Sequence, residues 1–325
     1  MSTYAAFGFS TDAADVAAAF KDRVKDRHFV VTGANCGLGL ECSRVLAKEG
    51  GIVYSLCRDM QKAEDAKKSI LKELPEAKLT IVQCDLGSLK SIEECAKKLI
   101  DSGNPIHVLI NNAGIMACPY GLTTDGFEKQ FGTNHIGHFY LTKLLMPILE
   151  KSGTTTDPAR VVNLSSCAHA LFGPPQGILF SDLDAKKHYN TWTRYGMSKL
   201  ANLLFTVDMQ KQNDGKTVAF VALHPGVITT NLERDIGCSA YFAICGGYRS
   251  GNKAGLKSLS KRKTIPQGSA TTILCALDPK IEFGKYYSDC QLSDEVHDRA
   301  FDEDLAAELT RVTDKLIETA IKSRM

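Results

Sequence analysis

From His28 onward, solid apolar runs alternate with stretches of helical spacing, and this alternation limits the fold more than any other feature. "HFVVTG" is followed by "LGLECSRVLAKEG", which has helical spacing, with Leu40, Val45 and Leu46 apolar and glycine closing it. "GIVYSLC" precedes a charged amphipathic stretch at 60–74, and "LTIVQCDL" precedes one at 89–101. "HVLINNAG" leads to a helix predicted over 125–150, and "RVVNLSS" is followed later by one over 192–212. "TVAFVALHPG" is the last run of this kind. A strand apolar on both sides must be covered on both faces. The pattern therefore predicts an α/β fold: a doubly wound parallel sheet with helices on both faces, whose ligands sit at the C-terminal ends of the strands.

No repeat or low-complexity linker interrupts the chain, so it reads as one domain over 27–325, preceded by an arm at 1–26. Within the arm, residues 7–20 predict a short helix capped by Ser10 or Thr11, with Asp12 and Asp15 near its positive end. Residues 232–264 depart from the alternation: "AYFAICGGY" is followed by a basic run ending "KSLSKRK". They read as an insertion over the substrate side. The basic segment Lys253–Lys263 is a solvated face over that pocket or, alternatively, a peripheral contact with an anionic membrane. A final helix is predicted at 297–322, with Phe301, Leu305, Leu309, Val312, Leu316 and Ala320 on its apolar stripe.

With 325 residues and a net charge of +2, the chain carries no basic surplus that would call for nucleic acid. Its eleven cysteines are dispersed, without C-x-x-C pairs, and read as reduced thiols. Ser102–Thr124 and Val161–Ser181 lack charge but contain proline, glycine and polar residues, so no transmembrane span is expected. Asp12 and Asp15 break the N-terminal region where a signal peptide would need an apolar run. The expectation is a soluble cytoplasmic protein; a homo-oligomer is allowed. His135, His138 and His224 have no metal-ligand spacing and read as structural.

"TGANCGLG" (32–39) joins the first strand to the first helix, with glycines at Gly33, Gly37 and Gly39. In that position, glycines let the backbone turn tightly and approach a pyrophosphate at a helix N-terminus. The second strand ends "YSLCRDM". An acid that would hold a ribose 2′-hydroxyl is replaced by Cys57, and Arg58 follows. A guanidinium pairs with a 2′-phosphate, so NADP(H) is expected ahead of NAD(H). The other reading makes Arg58 a solvated loop residue and gives the ribose to Asp59. In "TRYGMSKLAN", Tyr195 and Lys199 lie four residues apart, one helical turn, so a phenol and an ammonium share a face.

These residues resemble the short-chain dehydrogenase/reductase family. The resemblance rests on "TGANCGLG", "NNAG" (111–114), Asn134 in "GTNHIGH", Ser166 in "NLSS", "YGMSK" (195–199) and "HPGVITT" (224–230), in order over about 200 residues. The flanking "FGFSTDAADV", "YNTWTRYGMSKLANLLF", "IPQGSATTI" and "GKYYSDC" are similar to the retinol dehydrogenase and WW-domain-containing oxidoreductase branch, which includes a plant chloroplast-envelope dehydrogenase. The 29-residue separation of Ser166 and Tyr195 is also similar to that branch. The chain shows neither the hydrophobic anchor of membrane retinol dehydrogenases nor WW domains.

The resemblance implies a Rossmann fold and assigns roles. Tyr195 is the acid/base, its pKa lowered by Lys199, which also holds the nicotinamide ribose. Ser166, rather than Ser165, binds the substrate oxygen, and Asn134 anchors a water leading from Lys199 to solvent. Gly33, Asn35, Cys36, Gly37, Leu38 and Gly39 cradle the cofactor phosphates. Arg58, Asp85 and Leu86 lie at the adenosine end, with Asn111, Asn112, Ala113 and Gly114 along the cleft. Pro225, Gly226 and Thr230 border the nicotinamide. The expected activity is NADP(H)-dependent interconversion of an alcohol and a carbonyl, with a small lipophilic aldehyde, ketone or retinoid as substrate. The rival is an NADPH-binding regulatory subunit that contacts partners and turns over little. An epimerase or dehydratase is the weaker third reading, because those enzymes space their glycines differently.

Overall fold

β1 (His28–Thr32) lies in the middle of an eight-stranded sheet in the order β10-β9-β6-β5-β4-β1-β2-β3. The structure, a computed structural model, describes residues 7–228 and 261–324. β2 (Ile52–Cys57) and β3 (Lys78–Gln83) extend the sheet one way. β4 (Val108–Asn111), β5 (Ala159–Leu164), β6 (Val218–His224) and β9 (Tyr286–Ser288) extend it the other. All these pairings are parallel, and only the edge strand β10 (Gln291–Leu292) runs antiparallel. β7 (Val227–Ile228) and β8 (Arg262–Lys263) form a separate parallel pair.

The strands are buried on both faces, and their side chains alternate between two cores. Val30, Leu109, Val161 and Phe220 join one core; Phe29, Val31, Ile110, Val162 and Val221 join the other. The first core is covered by α4 (Leu89–Asp101), α6 (Gly137–Ser152) and α8 (Thr191–Asn213), with α10 (Glu303–Lys322) packed outside α8. The second is covered by α1 (Ala13–Ala19), α2 (Gly37–Lys48), α3 (Met60–Glu73) and α9 (Ile265–Leu277). The chain thus folds as the doubly wound sheet that its alternation predicts. The order reverses between β1 and β4, and this switch opens a crevice at the strands' C-terminal ends.

Several local expectations need correction. The first helix is shorter than 7–20. Its N-cap is Asp12, whose side chain makes no capping bond, while Thr11 Oγ1 accepts from the Gly8 N–H at 2.9 Å. The helix predicted over 125–150 begins later, at α5 (Lys129–Phe131). It passes through a π turn at Gly132–Ile136 before α6, because Thr123–Glu128 forms a turn of its own, with Thr123 N bonded to Phe127 O. Phe301 is 42% exposed and precedes α10, so it is not part of the stripe. The buried line is Leu305, Ala306, Leu309, Thr310, Thr313 and Ile317, with Val312, Leu316 and Ala320 at its margin. Thr230 and residues 232–260 of the proposed insertion lie outside the described residues.

α9 was marked only as part of a resemblance. Nearly every side of it is buried, from Gly268 through Leu277, so no amphipathic period announces it. Its start is nonetheless written in the sequence. Thr264 and Gln267 form a capping box, and Pro266 sits in the first turn.

The corrected stripe is testable by urea denaturation. Leu309→Ala, which empties a fully buried site between α10 and α8, should cost about 3 kcal/mol. Phe301→Ala should cost less than about 0.5 kcal/mol.

Candidate active site

The crevice begins where β1 ends. After Thr32 the chain turns at Gly33 (φ +66°) and enters α2 at Gly37 (φ +56°). Gly39 does not face the cleft. It allows a close approach behind it: a Cβ there would stand 2.4 Å from Gly33 O and 2.5 Å from Asn112 Nδ2. The result is a cleft of about 300 Å³. Gly33, Asn35, Cys36, Gly37 and Leu38 form one wall, and Asn112, Ala113 and Gly114 form the facing one. Arg58, Asp59, Lys62, Asp85 and Leu86 close one end. The N-terminus of the twelve-residue α2, free of acidic residues in its first turn, is turned to the same space. A loop that a Cβ would fill, at a helix N-terminus with two cations at the far end, fits a phosphorylated dinucleotide.

Gly114 links this cleft to Tyr195 and Lys199. A Cβ on Gly114 would lie 3.3 Å from Asn134 Oδ1 and 3.4 Å from Lys199 Nζ. Both Tyr195 and Lys199 are buried near the start of α8, on one side of it. Lys199 Nζ donates to Leu164 O at 3.2 Å and stands 5.8 Å from the Tyr195 ring centroid. Burial lowers the lysine from 10.5 to about 8. The lowered phenol that the resemblance implies is not found in the free site: burial raises Tyr195 above its ordinary value, and only hydrogen bonding with Ser166 opposes that rise.

The two neighbouring serines differ. Ser165 is buried and its hydroxyl donates to Lys199 O at 2.7 Å, a bond that fastens β5 to α8. The half-buried Ser166 is the one beside the phenol, and its Oγ also accepts from the Ala168 N–H at 3.2 Å. Asn134 sits in the π turn. Its Oδ1 accepts from Ile115 N at 2.9 Å, and its Nδ2 donates to Ile115 O and Ser198 Oγ at 2.9 and 3.0 Å. Both donors of its amide are therefore committed within the protein. Pro225 and Gly226 follow β6, where Gly226 packs against the Lys263 side chain. Asn111, expected along the cleft, is not there. It is buried one layer back, donating to Thr142 Oγ1 and Asn163 Oδ1 at 3.0 and 2.8 Å.

Comparison with known proteins agrees with this geometry. The model of the short chain dehydrogenase family matches residues 27–239. The chain belongs to that family. It is 42% identical to retinol dehydrogenase 12 of Mus musculus over 264 residues, 81% of this chain and 77% of that one. It is 38% identical to the chloroplastic short-chain dehydrogenase TIC 32 A of Brassica napus over 297 residues, 89% of this chain and 88% of that one. Among solved structures, a putative uncharacterized protein from Mycobacterium paratuberculosis superposes with a TM-score of 0.70 at 30% identity, covering 98% of this chain and 97% of that one. An NADPH-bound carbonyl reductase from chicken fatty liver shares the fold, with a TM-score of 0.57 at 24% identity over 81% of this chain and 96% of that one. This short chain dehydrogenase is therefore an oxidoreductase, of the retinol dehydrogenase-like branch.

Sequence reasoning missed what holds the site of this dehydrogenase in shape. Thr32 was read only as the first letter of the glycine loop. Its hydroxyl accepts from Asn112 N and Ala113 N, both at 2.9 Å, and meets His138 Nε2 at 2.9 Å. His138 Nδ1 donates to Asn134 O at 2.8 Å. A carbonyl only accepts, so Nδ1 carries the proton. The neutral ring then leaves Nε2 to accept from Thr32. Burial keeps His138 neutral, lowering it to about 4. One hydroxyl and one imidazole thus join the ends of β1 and β4 to the π turn. At the end of the cleft closed by Arg58, Asp59 caps α3 through Lys62 N at 3.1 Å and pairs with Lys62 Nζ at 3.4 Å. Its carboxylate is engaged on the helix it opens, while Lys62, on the first turn of α3, brings a second cation to the cleft.

Two predictions follow from these contacts. Thr32→Val strands the Ala113 N–H and His138 Nε2, while Asn112 N keeps Ile110 O, and should lower stability by about 3 kcal/mol in a urea melt, whereas Thr32→Ser should stay within about 1 kcal/mol of the parent. Burial also depresses His135 and His224 to about 3 and His169 to about 4. Below the unfolded value of about 6.5, the unfolded chain binds protons that the folded chain refuses. Stability should fall as pH drops from about 6.5 toward 4, each ring contributing about 1.4 kcal/mol per pH unit; denaturant melts across that window check the slope.

Proposed function

We propose that the protein is an NADPH-preferring reductase of a small lipophilic aldehyde, ketone or retinoid, using Tyr195 as its proton donor. The observation that carries this reading is the buried pair of Tyr195 and Lys199 on one side of α8, joined through Gly114 to a cleft shaped for a dinucleotide. Gly33, Asn35, Cys36, Gly37 and Leu38 would hold the phosphates, and Arg58, aided by Lys62, the 2′-phosphate. Asp85 and Leu86 would flank the adenine; Asn112, Ala113, Gly114, Pro225 and Gly226 would border the nicotinamide side. When bound, the reduced cofactor supplies a hydride to the carbonyl carbon.

Ser166 Oγ donates a hydrogen bond to the substrate oxygen and stabilises the charge that develops there. Tyr195 passes its phenolic proton to that oxygen. The ammonium of Lys199 stabilises the phenolate that remains. A water seated against Gly114 would return the proton, since that point lies within reach of both Lys199 Nζ and Asn134 Oδ1, which has accepted only one bond. Ser165 holds the helix that carries the pair. The retinol dehydrogenase relative supports the lipophilic substrate class.

A second reading keeps the cofactor and drops the turnover. It is favoured by burial, which raises Tyr195 in the free site. NADPH oxidation against a panel of retinal and long-chain and aromatic aldehydes and ketones separates the two. Turnover should drop at least about 100-fold in Tyr195→Phe. Tight NADPH binding with no turnover of any carbonyl would favour the regulatory reading. Arg58→Gln should raise the KM for NADPH at least about 10-fold and leave that for NADH within about 2-fold, as expected for loss of one charge-assisted phosphate contact. The rate should decline as pH rises past about 8, where Lys199 loses its charge, in a steady-state pH profile.

A further inference from the structure

A second cavity lies at the other end of the sheet, where β5 and β6 begin. Its volume is about 220 Å³, and Arg23, Asp157, Arg160, Asp214 and Lys216 contribute the charged part of its lining. Arg160 is 2% exposed. Its Nη1 donates to Cys275 O and Asp278 O, at 3.1 and 2.8 Å, and its guanidinium carbon is 5.3 Å from the Phe283 ring centroid. Its Nε has no acceptor among the described residues.

Capping the end of α9 explains Arg160 but not Arg23, nor the Arg27 that shares its partner. Arg23 and Arg27 share the single carboxylate of Asp157, at 2.5 and 3.0 Å, and the Nε of each is also without an acceptor. The Asp278 carboxylate accepts from Lys280 N at 2.8 Å and is not part of the lining. Lys216 Nζ donates to the backbone at Gln212 O. Arg23, Arg160 and Lys216 of the lining therefore face two carboxylates, Asp157 and Asp214, and Asp157 is already shared with Arg27 outside the lining. The surplus registers on Arg160, lowered to about 10 by burial and next by the nearby Arg23. A tetrahedral dianion relieves such a surplus. It offers several oxygens to planar donor forks, and the cavity is several times the ~30 Å³ that one water occupies.

We propose that this cavity is a binding site for a small dianionic oxyanion of the phosphate class, separate from the cofactor cleft. The anion would bridge Arg23 and Lys216 to the buried Arg160, tying the arm before β1 to the end of α9.

The test is thermal unfolding of the NADPH-saturated protein with inorganic phosphate, against sodium chloride of equal ionic strength. A phosphate concentration ten times the dissociation constant should raise the melting temperature by about 2 °C beyond chloride. That increment should fall below half in both Arg23→Gln and Lys216→Gln, each compared with its own chloride control. It should survive above half in Arg58→Gln, whose change lies in the cofactor cleft. Lys216→Gln leaves the Arg23–Asp157 pair intact, so its loss of response cannot be ascribed to that pair. No increment in the parent, an increment lost in Arg58→Gln, or one kept by either Arg23→Gln or Lys216→Gln would each overturn the proposal.

Discussion

The hydroxyl of Thr32 is the contact on which the rest of the site depends. The switch between β1 and β4 opens a crevice by pulling the chain apart at the strand ends, and something must then set the width of the opening. Thr32 does so from within the backbone, receiving the N–H groups of Asn112 and Ala113 and giving its own proton to His138. Gly39 supplies the complementary condition, since any side chain there would collide with Gly33 and Asn112. Attraction at one point and the absence of atoms at another together fix the facing walls. The ligand therefore meets a cleft whose ordering cost was met during folding.

Burial acts in two directions on the paired residues of α8. Desolvation raises the phenol of Tyr195 and lowers the ammonium of Lys199, so each alone moves toward its neutral form. The oxidised nicotinamide ring of the proposed cofactor would bring a positive charge beside the pair and shift that balance toward the phenolate. The site is thus electrostatically incomplete before it is filled, and its proton chemistry depends on occupancy. The same burial makes His135, His138, His169 and His224 reliable neutral struts rather than charges that would compete with Lys199.

Much of the fold was legible because a parallel sheet writes itself as solid apolar runs, and each of those runs became a strand. The site was legible where chemistry demands a residue type at a fixed spacing, as with the glycines at 33, 37 and 39 and the turn from Tyr195 to Lys199. What escaped notice followed other rules. α9 is buried on almost all sides and so lacks periodicity, and only its Thr264–Gln267 box marked it. Asn111 and Asn112 are identical in sequence but project to opposite environments, because one ends a strand and the other begins the turn. Thr32 and His138 are 106 positions apart, so their bond exists only in three dimensions.

The packing of α10 also bears on the order of events at the ribosome. α8 is buried along most of its length, and α10 covers part of that surface while Thr313 reaches His135 in the π turn at 3.1 Å. The segment that supplies Leu305, Leu309 and Ile317 is made well after α8 has emerged. Until then a nascent chain presents an uncovered apolar groove on the helix that bears Tyr195 and Lys199. A shielding chaperone would have its strongest claim on the chain during that interval, and chains stalled before Glu303 would be the ones prone to aggregate.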